Sequence, residues 1–252
     1  MIGKRHEYTA MALCESKMWW YRCLHKLTLQ EIRKNFDGNN PQILDAGCGT
    51  GGLLSQLHEN GFTHLNGFDF SPDAVEYANK TSGVNVLQLD ITNFSAGFPG
   101  NSFDVIISHD ILCLLENADS GNALVQMLSV LKPGGLLLMN LPAFRAFNGT
   151  HDIAVAIKQR YSKKAVQKLV GTKAEIEKII YWPFFLSPAI FVIRTIQRLR
   201  AGISSRDEFA SDVKMPPLWL NKILYTVTNF ENSYFQNKPW GSSIFVVFRK
   251  PQ

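Results

Sequence analysis

The sequence predicts an α/β protein built on a doubly wound, mostly parallel sheet, and three observations carry that prediction. Short apolar runs alternate with helical segments at the spacing of βαβ units. One of these runs, Ile43 to Asp45, ends in an acid and passes into a glycine-dense turn, Gly47-Cys48-Gly49-Thr50-Gly51-Gly52. The chain then closes on Ser-Ile-Phe-Val-Val-Phe-Arg, residues 243 to 249, an apolar strand far from the others in sequence.

The elements follow in order. Ala10 to Lys34 reads as one or two helices, Gln42 to Asp45 as the first strand and Gly52 to Glu59 as a helix. His64 to Phe68 is the second strand, and Ser71-Pro72 gives the start signal of a helix to Lys80, with Ser at the N-cap and Pro at the first helical position. Asn85 to Leu89 and Phe103 to Ser108 are strands three and four, the latter a short, mostly apolar strand typical of a buried parallel sheet. A helix around Asn122 to Leu131 ends at Lys132-Pro133-Gly134-Gly135, before strand five at Leu136 to Leu141.

Beyond it, Glu175 to Trp182 is strand six. Ser187-Pro188 opens a helix through Arg200 that carries Ile190, Phe191, Ile193, Ile196 and Leu199 beside three arginines. Packing on the body with a solvated arginine face is the expected arrangement. A membrane-surface role is the alternative, and the segment is too short to span a bilayer, which takes about 20 apolar residues. Ala201 to Pro217 reads as a mobile loop suited to a lid.

The whole is expected to be one domain: an N-terminal helical cap over 1–40, a core over 41–142, substrate loops and a lid over 143–240, and a terminal strand over 241–252. At 252 residues, 46% hydrophobic and 19% charged, the composition is that of an ordinary globular chain. The net charge of +5 comes from Lys and Arg spread along the sequence, so a nucleic-acid partner is not expected. Four cysteines show no paired spacing and no His/Cys/Asp cluster has zinc spacing. Reduced thiols, no metal, no transmembrane segment and a cytoplasmic location are the expectations.

Glycines at 47, 49 and 51 let the turn take positive φ and let a ligand lie against main-chain atoms. The same loop satisfies the dinucleotide fingerprint, so by itself it fits both S-adenosyl-L-methionine and NAD. Asp69, at the end of the second strand, is placed to accept hydrogen bonds from ribose hydroxyls.

Taken together, Asp45-x-Gly47-x-Gly49-x-Gly51, Gly67-Phe68-Asp69-Phe70-Ser71-Pro72 and Leu89-Asp90-Ile91 resemble the successive cofactor motifs of class I S-adenosylmethionine-dependent methyltransferases. The resemblance covers roughly residues 40 to 142 and implies a Rossmann-like sheet whose last strand inserts antiparallel beside strand five. It implies S-adenosyl-L-methionine as cofactor, with S-adenosyl-L-homocysteine as product. Asp45, Gly47, Cys48, Gly49 and Gly51 would line the cofactor; Asp69 with Phe70 would meet the ribose; Asp90 and the Ile91 amide would meet the adenine; Ser108 would lie by the sulfonium.

For chemistry, two His-Asp pairs are candidates. His109-Asp110 follows the fourth strand, and His151-Asp152 follows Phe144 in a substrate-facing loop; either histidine is a candidate general base. Trp19, Trp20, Tyr21 and Arg22 form an aromatic-basic knot; the chain resembles a subset of small-molecule methyltransferases with an aromatic helix before the glycine loop, which implies that Tyr21 or Arg22 would reach the methionine carboxylate. Trp19, Trp20, Phe144 and Asp152 are candidate substrate contacts. The expected acceptor is a small molecule or peptide, methylated on oxygen, either hydroxyl or carboxylate, with nitrogen or carbon as alternatives. A dinucleotide-dependent oxidoreductase is the competing class.

Overall fold

The computed structural model describes residues 5–201 and 214–252. Its frame is a seven-stranded sheet. In chain order the strands are β1 (Ile43–Ala46), β2 (Leu65–Asp69), β3 (Val86–Gln88), β4 (Phe103–His109), β5 (Leu131–Pro142), β6 (Glu175–Trp182) and β7 (Ser243–Arg249). In space they run β3-β2-β1-β4-β5-β7-β6. The first five are parallel, and β7 lies antiparallel between β5 and β6.

The strands alternate between two apolar layers because successive side chains point to opposite faces. Leu44, Ile106, Leu137 and Val246 join one core cluster, and their neighbours Ile43, Val105, Leu136 and Phe245 join the other. Each is fully buried, which contributes about 1.5–3 kcal/mol per side chain.

Helices α1 (Arg5–Cys14) and α2 (Trp19–Asn35) precede the sheet, and α3 (Gly52–Glu59) and α4 (Pro72–Thr81) link its first strands. Ser71 caps α4 by accepting from the Ala74 amide at 3.4 Å, with Pro72 opening the helix. Helix α5 (Asn117–Val130) starts a full turn before the expected Asn122. Lys132 to Gly135, expected to end that helix, instead begin β5: Leu131 pairs with Phe103, and the register slips before Val105 meets Leu136. The Lys132–Asp104 ion pair at 2.7 Å holds this offset segment down.

Later come α6 (Thr150–Ala154), α7 (Lys163–Val170), α8 (Ser187–Ala201) and α9 (Leu218–Tyr234). The fully buried residues of helix α9 are polar, Asn221, Thr228 and Glu231, with Tyr225 partly buried against the core, so periodicity does not announce it. It is anchored by polar groups: Asn221 accepts from the Trp19 amide at 2.8 Å and donates to the Lys17 carbonyl at 2.9 Å. Buried Glu231 accepts from the Phe184 and Phe185 amides at 2.6 and 2.8 Å. The apolar side chains of α8 were expected to pack inward; Ile193, Ile196 and Leu199 face outward instead. The loop expected at Ala201–Pro217 lies largely outside the described residues. No described helix is long and apolar enough to cross a membrane.

Candidate functional site

The parallel strands deliver their carboxyl ends to one edge, and the candidate site residues on β1, β2 and β4 gather there. The glycine turn leaves β1 with Gly47 and Gly49 at φ +84° and +54°. The Gly47 and Cys48 amides both donate to the Phe68 carbonyl, at 2.9 and 3.0 Å, which folds the turn back over β2. A Cβ on Gly47 would lie 2.4 Å from Ile111 Cγ1, and one on Gly49 would lie 2.6 Å from Met11 Cε. The turn is therefore a backbone cradle closed by two flexible side chains, one following β4 and the other on α1.

Asp69 is buried at the end of β2 and accepts from the Gly49 amide at 3.0 Å and the Ser71 amide at 2.9 Å. Burial raises its pKa, and these amides oppose the rise. Tyr8 of α1 hydrogen-bonds Ser71 beside it. Next to it in the chain, Phe70 is exposed, as is Asp90, whose carboxylate accepts from the amide and hydroxyl of Thr92, both at 2.8 Å. Ile91 is buried. Ser108 is buried on β4 with its hydroxyl unpartnered.

Glu15, between α1 and α2, carries no signal in the sequence, yet it is central. Its carboxyl accepts from the Thr50 hydroxyl at 2.5 Å and the Gly52 amide at 3.1 Å, covering the amino end of α3. Burial raises its pKa to about 7. Asp45 is pushed well above the ordinary range by burial first, then by Glu15 and Asp69. Three acids thus crowd the glycine turn. Such a cluster is matched to a cation and mismatched to a pyrophosphate.

On the other side of the edge lies Asp110. It takes φ +56°, a left-handed backbone that is costly for a residue with a side chain. Asn140 of β5 donates to both its carboxyl oxygens, at 3.1 and 2.9 Å, and is itself fixed by the Trp182 indole N–H at 2.9 Å. Burial raises the Asp110 pKa to about 7, opposed by Asn140 and Arg160. The residue keeps part of its surface accessible.

Several expectations are redistributed by the packing. His109 points to the α2 side, where its Nε2 meets Thr28 Oγ1 at 3.2 Å. Thr28 gives its hydrogen to the Leu24 carbonyl, so His109 Nε2 is the donor. Burial lowers its pKa to about 3, which leaves a neutral ring too weakly basic for the expected role at neutral pH. Asp152 is not a free substrate contact: Arg160 clamps it at 2.9 and 2.7 Å, and it accepts from the Gly149 amide at 3.3 Å at the start of α6. His151 sits half-buried on that same short helix.

In the aromatic knot, Tyr21 lies near Glu15 and Asp110, whose charges add to burial in raising its pKa. Arg22 lines a cavity with Glu15, Thr50 and Gly52, its guanidinium 4.0 Å from the centre of the Tyr225 ring. Trp20 stacks on Trp182 at 5.4 Å, and Trp19 is half-buried. Phe144, just beyond β5, takes φ +45° and packs on Tyr181 with ring centres 4.7 Å apart. Among the described residues no group of three or more His, Cys, Asp or Glu could hold a metal ion.

Comparison with known proteins bears on this edge. A family model described as a methyltransferase domain matches residues 37–182, more than half of the chain. The chain is 30% identical over 138 residues to a phosphoethanolamine N-methyltransferase of Plasmodium falciparum, covering 54% of this chain and 51% of that protein. It is 31% identical over 136 residues to a malonyl-[acyl-carrier protein] O-methyltransferase of Halalkalibacterium halodurans, covering 51% and 49%. It thus spans about half the length of these relatives. Among solved structures, a Thermotoga maritima protein described as a SAM-dependent methyltransferase, possible histamine N-methyltransferase, shares the fold. The TM-score is 0.61, with 17% identity and coverage of 97% of this chain and 95% of that one.

Proposed function

The chain belongs to the class I S-adenosylmethionine-dependent methyltransferases, and from that premise we propose that it methylates a small molecule at a nitrogen atom beside Asp110. The observation that carries the proposal is a crowd of buried acids held toward their neutral forms, which a cation placed among them would ionise. Glu15, Asp45 and Asp69 on one side and Asp110 on the other favour cations. The residues present fit the cofactor: the Gly47–Gly49 cradle for its backbone-facing side, Asp69 for the ribose, and the acids for its positive charge.

When bound, S-adenosylmethionine supplies an electrophilic methyl group. The chain's task is to orient the acceptor, exclude water and manage one proton. An ammonium acceptor must lose a proton before its lone pair can attack. Asp110, with a pKa about 7 and a carboxyl held by Asn140, is suited first to attract that ammonium and then to take the proton. Arg160 disperses the charge of the carboxylate.

Relatives named as phosphoethanolamine N-methyltransferases support the nitrogen reading. The oxygen reading rests on the O-methyltransferase relative. The test is calorimetry with S-adenosylhomocysteine and NAD, followed by methyl-transfer assays on a panel of small amines, alcohols and carboxylates. Binding of S-adenosylhomocysteine alone, with amines preferred and Asp110→Asn slower by about a hundredfold or more, is the expected result. NAD binding without S-adenosylhomocysteine binding defeats it.

A further inference from the structure

Helices α8 and α9 are turned inside out relative to an ordinary surface helix, which buries its apolar stripe. On α9 the buried residues are Asn221, Thr228 and Glu231. Trp219, Ile223, Phe230 and Tyr234 share the opposite stripe and are 66%, 50%, 51% and 73% exposed. On α8, Arg194 and Gln197 turn inward to Gly149, where a Cβ would lie 2.5 and 2.9 Å from them. Val192, Ile193, Ile196 and Leu199 are exposed.

The α9 surface extends to the start of α8. Phe185, just before α8, lies 5.5 Å from Phe235, just after α9, measured between ring centres. Phe235 in turn meets Phe230 at 6.1 Å, and Phe230 meets Tyr234 at 4.9 Å. A contiguous apolar surface of this kind marks a face that something covers.

Charge identifies what covers it. Arg198, Lys214 and Lys222 are exposed on or beside the two helices. Among the described residues from 184 to 240 there is one acid, Glu231, and it is buried against Lys238. We infer that this face docks on an anionic lipid surface, with the apolar side chains at the acyl boundary and the basic ones among the headgroups. Trp219 and Tyr234 are side chains suited to that boundary. A second copy of the chain fits less well, because a two-fold contact would set Arg198 and Lys222 of each copy into a face whose described residues offer no exposed carboxylate.

Docking in this way brings the lipid surface near the acceptor side of the site. Phe191 on α8 meets Phe147 edge-on at 6.2 Å, and Phe147 neighbours the strained Phe144 at 6.5 Å.

The test is co-sedimentation of the full chain with phosphatidylcholine vesicles, with and without phosphatidylglycerol. Partition about tenfold or more stronger to the anionic vesicles, weakening as salt is raised, is the expected result. Trp219→Glu combined with Ile223→Glu abolishes it while the thermal unfolding midpoint stays unchanged, since both side chains are already exposed. No sedimentation with either vesicle, or equal sedimentation with both, overturns the inference. So does a dimer in analytical ultracentrifugation that the double substitution dissolves. The readout is lipid partition and not methyl transfer, so its failure leaves the proposed activity standing.

Discussion

The side-chain amide of Asn140 spans two partners: its nitrogen lies 3.1 and 2.9 Å from the carboxyl oxygens of Asp110, and its oxygen accepts the Trp182 indole N–H at 2.9 Å. One buried side chain thus ties the core of β6 to a carboxyl at the carboxyl edge of the parallel strands. Its hydrogen bonds lower the Asp110 pKa against the rise that burial causes.

Removing that tie has a signed consequence. In Asn140→Ala the lowering interaction is gone, so the Asp110 pKa rises above about 7 and the acidic limb of the kcat/KM profile moves to higher pH. Stability falls by about 1–3 kcal/mol because the buried Trp182 N–H loses its acceptor. A pH–rate profile and urea unfolding measure the two effects; an unmoved limb removes Asp110 from proton transfer.

Glu15 gives a pH-dependent stability of its own. Its pKa is raised from 4.5 to about 7 in the folded chain, so the folded state holds the proton more tightly and stability is lost as pH rises across that window. His25 acts oppositely, its pKa lowered from 6.5 to about 4, so its contribution is lost as pH falls. Glu15→Gln is expected to flatten the decline between pH 4.5 and 7, read as the unfolding midpoint without cofactor.

The acid cluster also separates the two forms of the cofactor. A sulfonium cation lowers the pKa values of Glu15, Asp45 and Asp110, so its binding releases protons and its affinity rises as pH is raised through about 7. S-adenosylhomocysteine, a neutral thioether, shows the smaller slope. Calorimetry of both ligands across that range checks this, and equal slopes would detach the acids from the sulfonium.

Asp152 and His151 part company. Asp152→Ala leaves Arg160 without its buried partner and is expected to cost about 3–5 kcal/mol in urea unfolding. His151→Ala is expected to keep turnover within about tenfold of the parent, against the about hundredfold or greater loss for Asp110→Asn. A larger loss for His151→Ala returns the base to that histidine.

What the sequence alone determined is the frame. Alternating apolar runs, the Ser71-Pro72 start and the glycine turn are local signals, written in residues close together in the chain, and the strands, α3 and α4 follow from them, while the antiparallel direction of β7 came from the family resemblance. The cofactor-side candidates Asp45 and Asp69 are legible for the same reason: each ends a strand whose direction places it at one edge. Tertiary structure decided the rest, because burial and long-range partners set chemical character. Glu15 reaches Thr50, Asn140 reaches Asp110 and Trp182, and Thr28 reaches His109. Those contacts join segments distant in sequence, and the burial that comes with them raises Glu15 and Asp110 to near-neutral pKa, against the hydrogen bonds, while leaving a neighbouring histidine without a charge. Helix α9 was hidden for a related reason: its anchors are polar and its apolar stripe faces outward, a reversal that local periodicity does not register.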